Sequence, residues 1–220
     1  FSWFPNSKHQ VNFGGEATIY DFEPFSVNAD FVDSAITDIS IELQNEYGIE
    51  PSLYIEDNWQ VNSRVTVRGG LRYSSFYNVG ARNVVNYNPT SAGTYRNDRI
   101  TDTTSYDKGA VIAAFDGLQG LEPRLGINYK SSENSAVKLS YNRMRQYIHL
   151  ISNTTSSLPI DTWRPAGTYI DPGTADQIAA GVNRNFKNGE WQLSLETYYK
   201  SMRDLVDYKN GAQPTGVDNI

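Results

Sequence analysis

The sequence predicts an all-β fold, an antiparallel up-and-down sheet of about eight strands that forms a segment of a transmembrane β-barrel. Apolar and polar residues alternate with period two from end to end of the chain. Short polar connectors alternate strictly with long ones, and aromatic residues gather near the ends of the predicted strands. We therefore expect residues 1–220 to form part of a single barrel domain.

The hairpin at residues 53–73, LYIEDNWQVNSRVTVRGGLRY, shows the alternation. One set of positions is apolar and consists of Leu53, Ile55, Trp59, Val61, Val65, Val67, Leu71 and Tyr73. The other set is more polar and consists of Tyr54, Glu56, Asn58, Gln60, Thr66, Arg68, Gly70 and Arg72. Successive side chains of a strand point to opposite faces, so one face suits an apolar environment and the other suits water.

The same period predicts further strands at residues 9–22, 121–130, 136–145, 175–186 and 191–200. Helical periodicity is weak, and only a short helical turn is expected around residues 202–206. Four connectors are short and polar, with compositions that suit tight turns: residues 5–8, 62–64, 131–134 and 187–190. The long connectors are residues 23–39, 77–120 and 146–174. Strict alternation of the two kinds places all short turns at one end of the sheet and all long loops at the other.

Two environments fit this pattern. A soluble β-sandwich or lipocalin-like barrel would bury the apolar face in a core. A membrane barrel would turn that face to lipid and enclose the polar face. Long connectors without strands of their own are uncommon in soluble domains but routine in outer-membrane barrels, which favours the membrane alternative.

The membrane alternative assigns a place to two groups of side chains. Charged residues of the polar face would line the lumen: Glu16, Glu56, Arg68, Arg72, Glu122, Arg124, Lys138, Glu196 and Lys200. Aromatic residues of the other face would sit at the lipid interfaces: Trp59, Tyr73, Tyr129, Tyr141, Trp191 and Tyr199. The lumen charges are expected to form a ladder, with Glu56 beside Arg68 or Arg72, and we expect its main role to be structural.

Composition excludes several classes of protein. The net charge is −6 with no basic block, so a nucleic-acid partner is not expected. With no cysteine, the chain has no disulfide, thiolate metal site or thiol nucleophile. No apolar segment of the sequence approaches the length of about 18–20 residues that a membrane-spanning helix requires. It begins and ends in the middle of the pattern, and we expect it to be an internal stretch of a longer protein.

Candidate chemistry is sparse. His149 lies near Ser152, Asn153, Ser156 and Ser157, but no serine occupies a nucleophile elbow, and His149 and His9 are the only histidines. We therefore expect no catalysis. Asp98, Asp102 and Asp107 lack the spacing of a calcium loop, and no metal or cofactor is expected. Ligand contacts are expected in the long connectors, whose aromatic side chains are suited to stacking on a sugar or aromatic ligand: Tyr77, Tyr87, Tyr95, Trp163 and Tyr169.

Several stretches resemble the barrel of a TonB-dependent receptor, and most closely the Bacteroidota type. The matching motifs are Y-x-E-D-x-W-x-V-N-x-R at residues 54–64, EPR at 122–124, SYNRMRQYIHLISN at 140–153, P-x-D-x-W-x-P at 159–165, ADQ at 175–177 and YYKSMRDLVDY at 198–208. They occur in the order and spacing of the family.

The resemblance implies part of a larger barrel, about 22-stranded in this family, with a plug that has no counterpart in these residues. It implies uptake of a nutrient such as a siderophore, cobalamin, peptide or glycan across the outer membrane. The implied partners are outer-membrane lipid and a TonB-type coupling protein, with a surface lipoprotein or other envelope-complex subunits as further candidates. The open alternative is a non-transporting barrel that serves as a structural subunit of an outer-membrane complex.

Overall fold

The computed structural model describes residues 1–24, 26–29, 39–42, 44–88, 100–115, 117–152, 161–186 and 189–207. The strands are β1 Ser2–Asn6, β2 His9–Phe22, β3 Ser26–Ala29, β4 Ile39–Glu42, β5 Glu46–Gln60, β6 Val65–Ser75, β7 Tyr77–Val79, β8 Arg82–Tyr87, β9 Ile100–Tyr106, β10 Val111–Ala113, β11 Gln119–Ser132, β12 Ser135–Gln146, β13 Ile148–Ser152, β14 Asp161–Pro165, β15 Gly173–Phe186 and β16 Trp191–Arg203. In the described residues, no helix has the length and apolarity needed to span a membrane.

Ten of these strands form one antiparallel sheet, in which eight follow the order β1-β2-β5-β6-β11-β12-β15-β16 and β7 and β10 lie beside that path. Each strand in this order pairs with the one that precedes it in the sheet, as in the register Leu53 opposite Tyr73 and Ile127 opposite Leu139. The predicted up-and-down, antiparallel sheet is therefore confirmed. The short helical turn expected at residues 202–206 is wrong, because β16 continues to Arg203 and Asp204 then takes a φ of 57°.

The long connectors were expected to lack strands of their own, and the structure differs from this expectation. Their described residues contain the hairpins β3–β4, β8–β9 and β13–β14. After a break at Phe76, β7 pairs with both β5 and β10. Two sheet strands also begin earlier than predicted, since β5 begins at Glu46 and not at Leu53, and β15 begins at Gly173 and not at Ala175. Cross-strand pairing satisfies the backbone there, which composition alone did not reveal.

The two faces of the sheet differ in chemistry. The apolar face carries Leu53, Leu125, Leu139, Ile178 and Leu195, whereas the polar face carries Glu56, Arg72, Arg124, Lys138 and Glu196. No layer of described residues packs on the apolar face, and Leu195 is 70% exposed there. A soluble sandwich would bury these side chains against a second sheet. The described residues contain no such second sheet, so the layer that would cover the apolar face in a soluble sandwich is absent from them.

The buried apolar cluster of the described residues lies at the long-loop end. Phe76, Leu118, Tyr147 and Ala166 form it, and the ring of Phe76 stacks on that of Tyr147 with 5.5 Å between centroids. Phe76 lies against Gly48 on the polar side of β5, where a Cβ would collide with the ring. The long connectors therefore fold inward over the polar face at that end.

Candidate ligand-binding site

A polar network lies beneath the buried cluster and joins the connectors to the sheet. Ser74 donates a 2.6 Å hydrogen bond to Glu122, and the hydroxyls of Ser74 and Tyr147 are 2.8 Å apart. Arg72 lies 3.3 Å from Glu50 and 3.9 Å from Glu122. Burial raises the pKa of the Tyr147 phenol, which therefore stays protonated and keeps its donor. The network fixes the position of the connector that begins at Tyr147.

Above this network, one carboxylate holds two arginines that come from different connectors. Glu46 at the start of β5 forms ion pairs with Arg82 of β8 and with Arg164 of β14, the latter at 2.6 Å between Oε1 and Nη1. The Glu46 side chain is 3% exposed, and the two arginines are 19% and 16% exposed. We refer to Arg82, Glu46 and Arg164 as the buried triad. It ties two long connectors to the wall of the sheet.

A cavity of about 100 Å³ adjoins the buried triad. Its lining combines the triad with apolar side chains, Val84, Val85, Pro165 and Ile170, and with the polar Thr168 and Tyr169. The Nε atoms of Arg82 and Arg164 are buried and have no hydrogen-bond partner in the described part of the chain. A small concave site with apolar walls and a few converging polar groups has the character of a ligand subsite.

The aromatic residues predicted to bind ligand do not gather in one place. Tyr169 lines the cavity, and its ring makes an edge contact with Tyr87 at 5.5 Å. Trp163 stacks on Phe22 at 6.2 Å. Tyr77 pairs with Ile49 and so lies on the apolar face, away from the cavity. Tyr95 lies outside the described residues.

Some members of the predicted ladder of charges on the polar face form ion pairs, and others do not. Arg68 donates to Glu56 at 2.7 Å, whereas Arg72 pairs with Glu50, a partner that the sequence did not suggest. A groove of about 340 Å³ has Glu16, Glu56, Arg68, Arg72 and Arg124 in its lining. Among the described residues, Arg124, Lys138, Glu196 and Lys200 make no ion pair within 4 Å, although all lie on the polar face.

The six predicted interface aromatics all lie on the apolar face, in two rows. Trp59, Tyr129 and Trp191 adjoin short turns, and Tyr73, Tyr141 and Tyr199 lie nearer the long-loop end. Five of them are between 39% and 72% exposed, whereas the hydroxyl of Tyr141 donates to Asp176 at 2.8 Å. This hydrogen bond was not predicted.

Sequence reasoning missed charged side chains on the apolar face. Asp57 lies there near the short turns, 2.6 Å from Nδ1 of His9. Asp176 lies there near the long loops and accepts hydrogen bonds from Arg143 at 2.7 and 3.0 Å and from Arg203 at 2.9 Å. We refer to Arg143, Asp176 and Arg203 as the exposed triad. Strict period-two counting from Ile55 and Ile178 would have placed both aspartates on this face.

The chain matches, over residues 2–220, the family model described as "TonB dependent receptor-like, beta-barrel". The chain belongs to this family. Its members are outer-membrane receptors that act as transporters and are not enzymes. No match was found among curated proteins or among solved structures.

The remaining candidates for chemistry in this receptor chain are isolated. His149 is buried in β13, and burial lowers its pKa while a hydrogen bond to the backbone of Asp171 opposes the shift. Asp102 lies in β9 and Asp107 follows that strand, whereas Asp98, Asn153, Ser156 and Ser157 lie outside the described residues. The described part of the chain holds no group of three potential metal-binding side chains.

Proposed function

We propose that this chain forms part of an outer-membrane barrel that takes up a nutrient, driven by a TonB-type coupling protein acting through the plug of the receptor. The observation that carries the proposal is the uncovered apolar face, which spans the sheet from β2 to β16. In water such a face would drive aggregation, whereas in a bilayer lipid covers it. The family match supports the same conclusion.

The apolar face has the dimensions of a membrane-facing band. Trp191 and Tyr199 are eight residues apart on β16, which at about 3.3 Å per residue is about 26 Å along the strand. In the described sheet strands, charged side chains interrupt the face only near its ends, where Asp57 and Asp176 are both ion-paired. We propose that the two aromatic rows lie at the lipid interfaces and that the nine predicted polar-face charges line the lumen.

The long connectors, in this proposal, form the extracellular surface that meets the nutrient. Ring contacts place Trp163 against Phe22 and Tyr169 against Tyr87 there, and all five predicted aromatics, with Tyr77 and Tyr95, remain proposed contacts. Proposed nutrients are a siderophore, cobalamin, a peptide or a glycan. We further propose a Bacteroidota-type receptor with a surface lipoprotein or other envelope subunits as partners, and no bond-making chemistry in the barrel.

The proposed membrane topology is tested by labelling neighbouring positions on the two faces. The chain has no cysteine, so Leu195→Cys and Glu196→Cys each introduce a unique thiol into it. We expect a fluorescent label at position 195 to be quenched by spin-labelled lipid and the label at 196 by a water-soluble quencher. Equal aqueous quenching at both positions would contradict the proposed topology.

Uptake is tested by growth on single nutrients. A strain that lacks the full-length gene should fail on one nutrient and recover when the gene is restored. A variant of the full-length protein that lacks its plug should not restore growth. If the deletion strain grows on every nutrient but the assembly of another envelope complex fails, the non-transporting structural alternative is correct and the uptake proposal is wrong.

A further inference from the structure

We infer that the cavity beside the buried triad recognises a carboxylate group on the ligand of this receptor. This inference rests on the proposed function, because that function makes the long connectors the surface that meets the ligand. It adds the chemical class of the group that is recognised.

The charges of the buried triad do not balance. Two guanidinium groups face one carboxylate, and Glu46, Arg82 and Arg164 are the only charged side chains among the described residues that line the cavity. All three are largely removed from water. A buried charge without a counter-charge is costly, so a bound anion would stabilise the site. The excess of one positive charge matches a singly charged carboxylate better than a phosphate dianion.

Each arginine keeps N–H donors that Glu46 does not use. A guanidinium has five N–H donors in a planar fork, and each arginine directs its Nη1 to Glu46. Both Nε atoms are buried without a partner in the described part of the chain. A carboxylate accepts two parallel hydrogen bonds from one guanidinium, which gives the strongest and most directional pairing available to it.

The shape of the cavity limits what enters it. A volume of about 100 Å³ accommodates a small group and excludes a whole siderophore, peptide or glycan. The apolar walls, among them Val84 and Ile170, would exclude water from the pair and strengthen the interaction. The site is therefore suited to one acidic group of a larger molecule, with the remainder lying over the connectors.

A purely structural role for the triad makes different predictions from a binding role. A tether between connectors is weakened when any of its three members is removed. A carboxylate site is weakened only by the loss of an arginine. Substitution of Glu46 by glutamine removes the competing acid and should strengthen carboxylate binding, even though it loosens the connectors in the absence of an anion.

The experiment uses the full-length receptor in detergent, with acetate as the probe and its methyl signal observed by saturation-transfer NMR at constant ionic strength. We expect the signal for acetate and none for acetamide, which has the same shape without the charge. Arg82→Gln and Arg164→Gln should each weaken acetate binding about tenfold, the usual effect of one charge-assisted hydrogen bond. Glu46→Gln should bind acetate more tightly than the unmodified receptor.

Arg143→Gln in the exposed triad is the matched control and should leave acetate binding unchanged. Heat-dependent gel mobility shows whether each variant is folded. The inference is overturned if acetamide gives the same signal, if Glu46→Gln loses binding together with the arginine variants, or if inorganic phosphate displaces acetate at much lower concentration. Acetate binding does not require transport, so normal growth of the deletion strain on every nutrient, together with intact acetate binding, would overturn the proposed function alone.

Discussion

On each side of the sheet one carboxylate lies between two arginines, and the two triads differ in their surroundings. In the buried triad, each arginine reaches Glu46 through one nitrogen, and all three side chains are at most 19% exposed. In the exposed triad, Arg143 contacts Asp176 through two nitrogens, and the two arginines are 37% and 58% exposed. The same combination of one negative and two positive charges therefore occurs once in the interior and once at the surface.

The composition of a charged cluster alone does not determine its role. The exposed triad lies nearer the long loops than the row of Tyr141 and Tyr199, and its arginines reach solvent, where ion pairs contribute little to stability. Around the buried triad, solvent is largely excluded, so the excess of one positive charge has an energetic cost and attracts an anion. Burial therefore separates a surface anchor from a candidate recognition site.

The largest expected effect comes from neutralising the central acid of each triad. Glu46→Gln leaves two buried arginines uncompensated, which should cost about 3–5 kcal/mol of local stability. Hydrogen exchange of β8 and β14 in anion-poor buffer measures this loss, and acetate should slow the exchange again. Asp176→Asn should cost at most about 1 kcal/mol. Equal losses in the two variants would show that the triads do not differ as burial indicates.

The second comparison removes one tyrosine hydroxyl from each region. Tyr147→Phe deletes a buried hydroxyl 2.8 Å from Ser74 and should cost about 1–3 kcal/mol, because Ser74 is left without one partner. Tyr141→Phe deletes a hydroxyl that donates to Asp176, which keeps both arginines, so no measurable loss is expected. Thermal unfolding midpoints of the two variants in the same detergent provide the measurement. A larger shift for Tyr141→Phe would contradict the difference in burial.

A smaller loss of stability is expected when the pH is lowered, and only in the β13–β14 hairpin beside the buried triad. His149 lies opposite Arg164 in the β13–β14 hairpin, and burial lowers its pKa below the ordinary value of 6.5. In the window between the lowered pKa and 6.5, the opened hairpin binds more protons than the folded one. Hairpin stability is therefore lost as pH falls below 6.5.

Hydrogen exchange of β13 and β14, corrected for intrinsic rates, at about pH 7.5 and about pH 5.5 checks this expectation. His149→Gln should abolish the pH dependence. If the variant keeps the same dependence, another group is responsible. The strands that carry the exposed triad should show no comparable change in either protein.

The smallest expected effect is that of salt. Raising ionic strength from about 0.1 M to about 1 M shortens the screening length from about 10 Å to about 3 Å. The coupling between Arg143 and Asp176, measured by a double-mutant cycle, should fall, whereas the coupling between Arg164 and Glu46 should change little. Equal salt sensitivity would mean that water reaches both triads.

Much of the sheet could be predicted from the sequence because its strands follow one simple rule. Alternation placed the lumen candidates on one face and the interface aromatics on the other, and connector length gave the order of short turns and long loops. The Glu56–Arg68 contact followed from the hairpin at residues 53–73. These features depend on neighbours that a turn brings together, so local pattern is sufficient.

The buried triad could not be predicted, since its members are far apart in sequence and come from one sheet strand and two connectors. Glu46 begins a strand whose alternation is obscured by Gly48 and Pro51. Arg82 and Arg164 lie in polar connectors where no period marks an inward position. Asp57 and Asp176 are a different case, because consistent counting along their strands would have shown that charges interrupt the apolar face.

The location of the small buried core sets a rule for redesigning this receptor chain. Phe76 and Leu118 belong to the connector at residues 76–118, and Tyr147 and Ala166 belong to the connector at residues 147–172. Grafting one of these connectors from a relative would leave half of a hydrophobic interface without its complement. Exchange of ligand preference between receptors of this type therefore requires the two connectors to be transplanted together, as one module, while the strand sequences stay untouched.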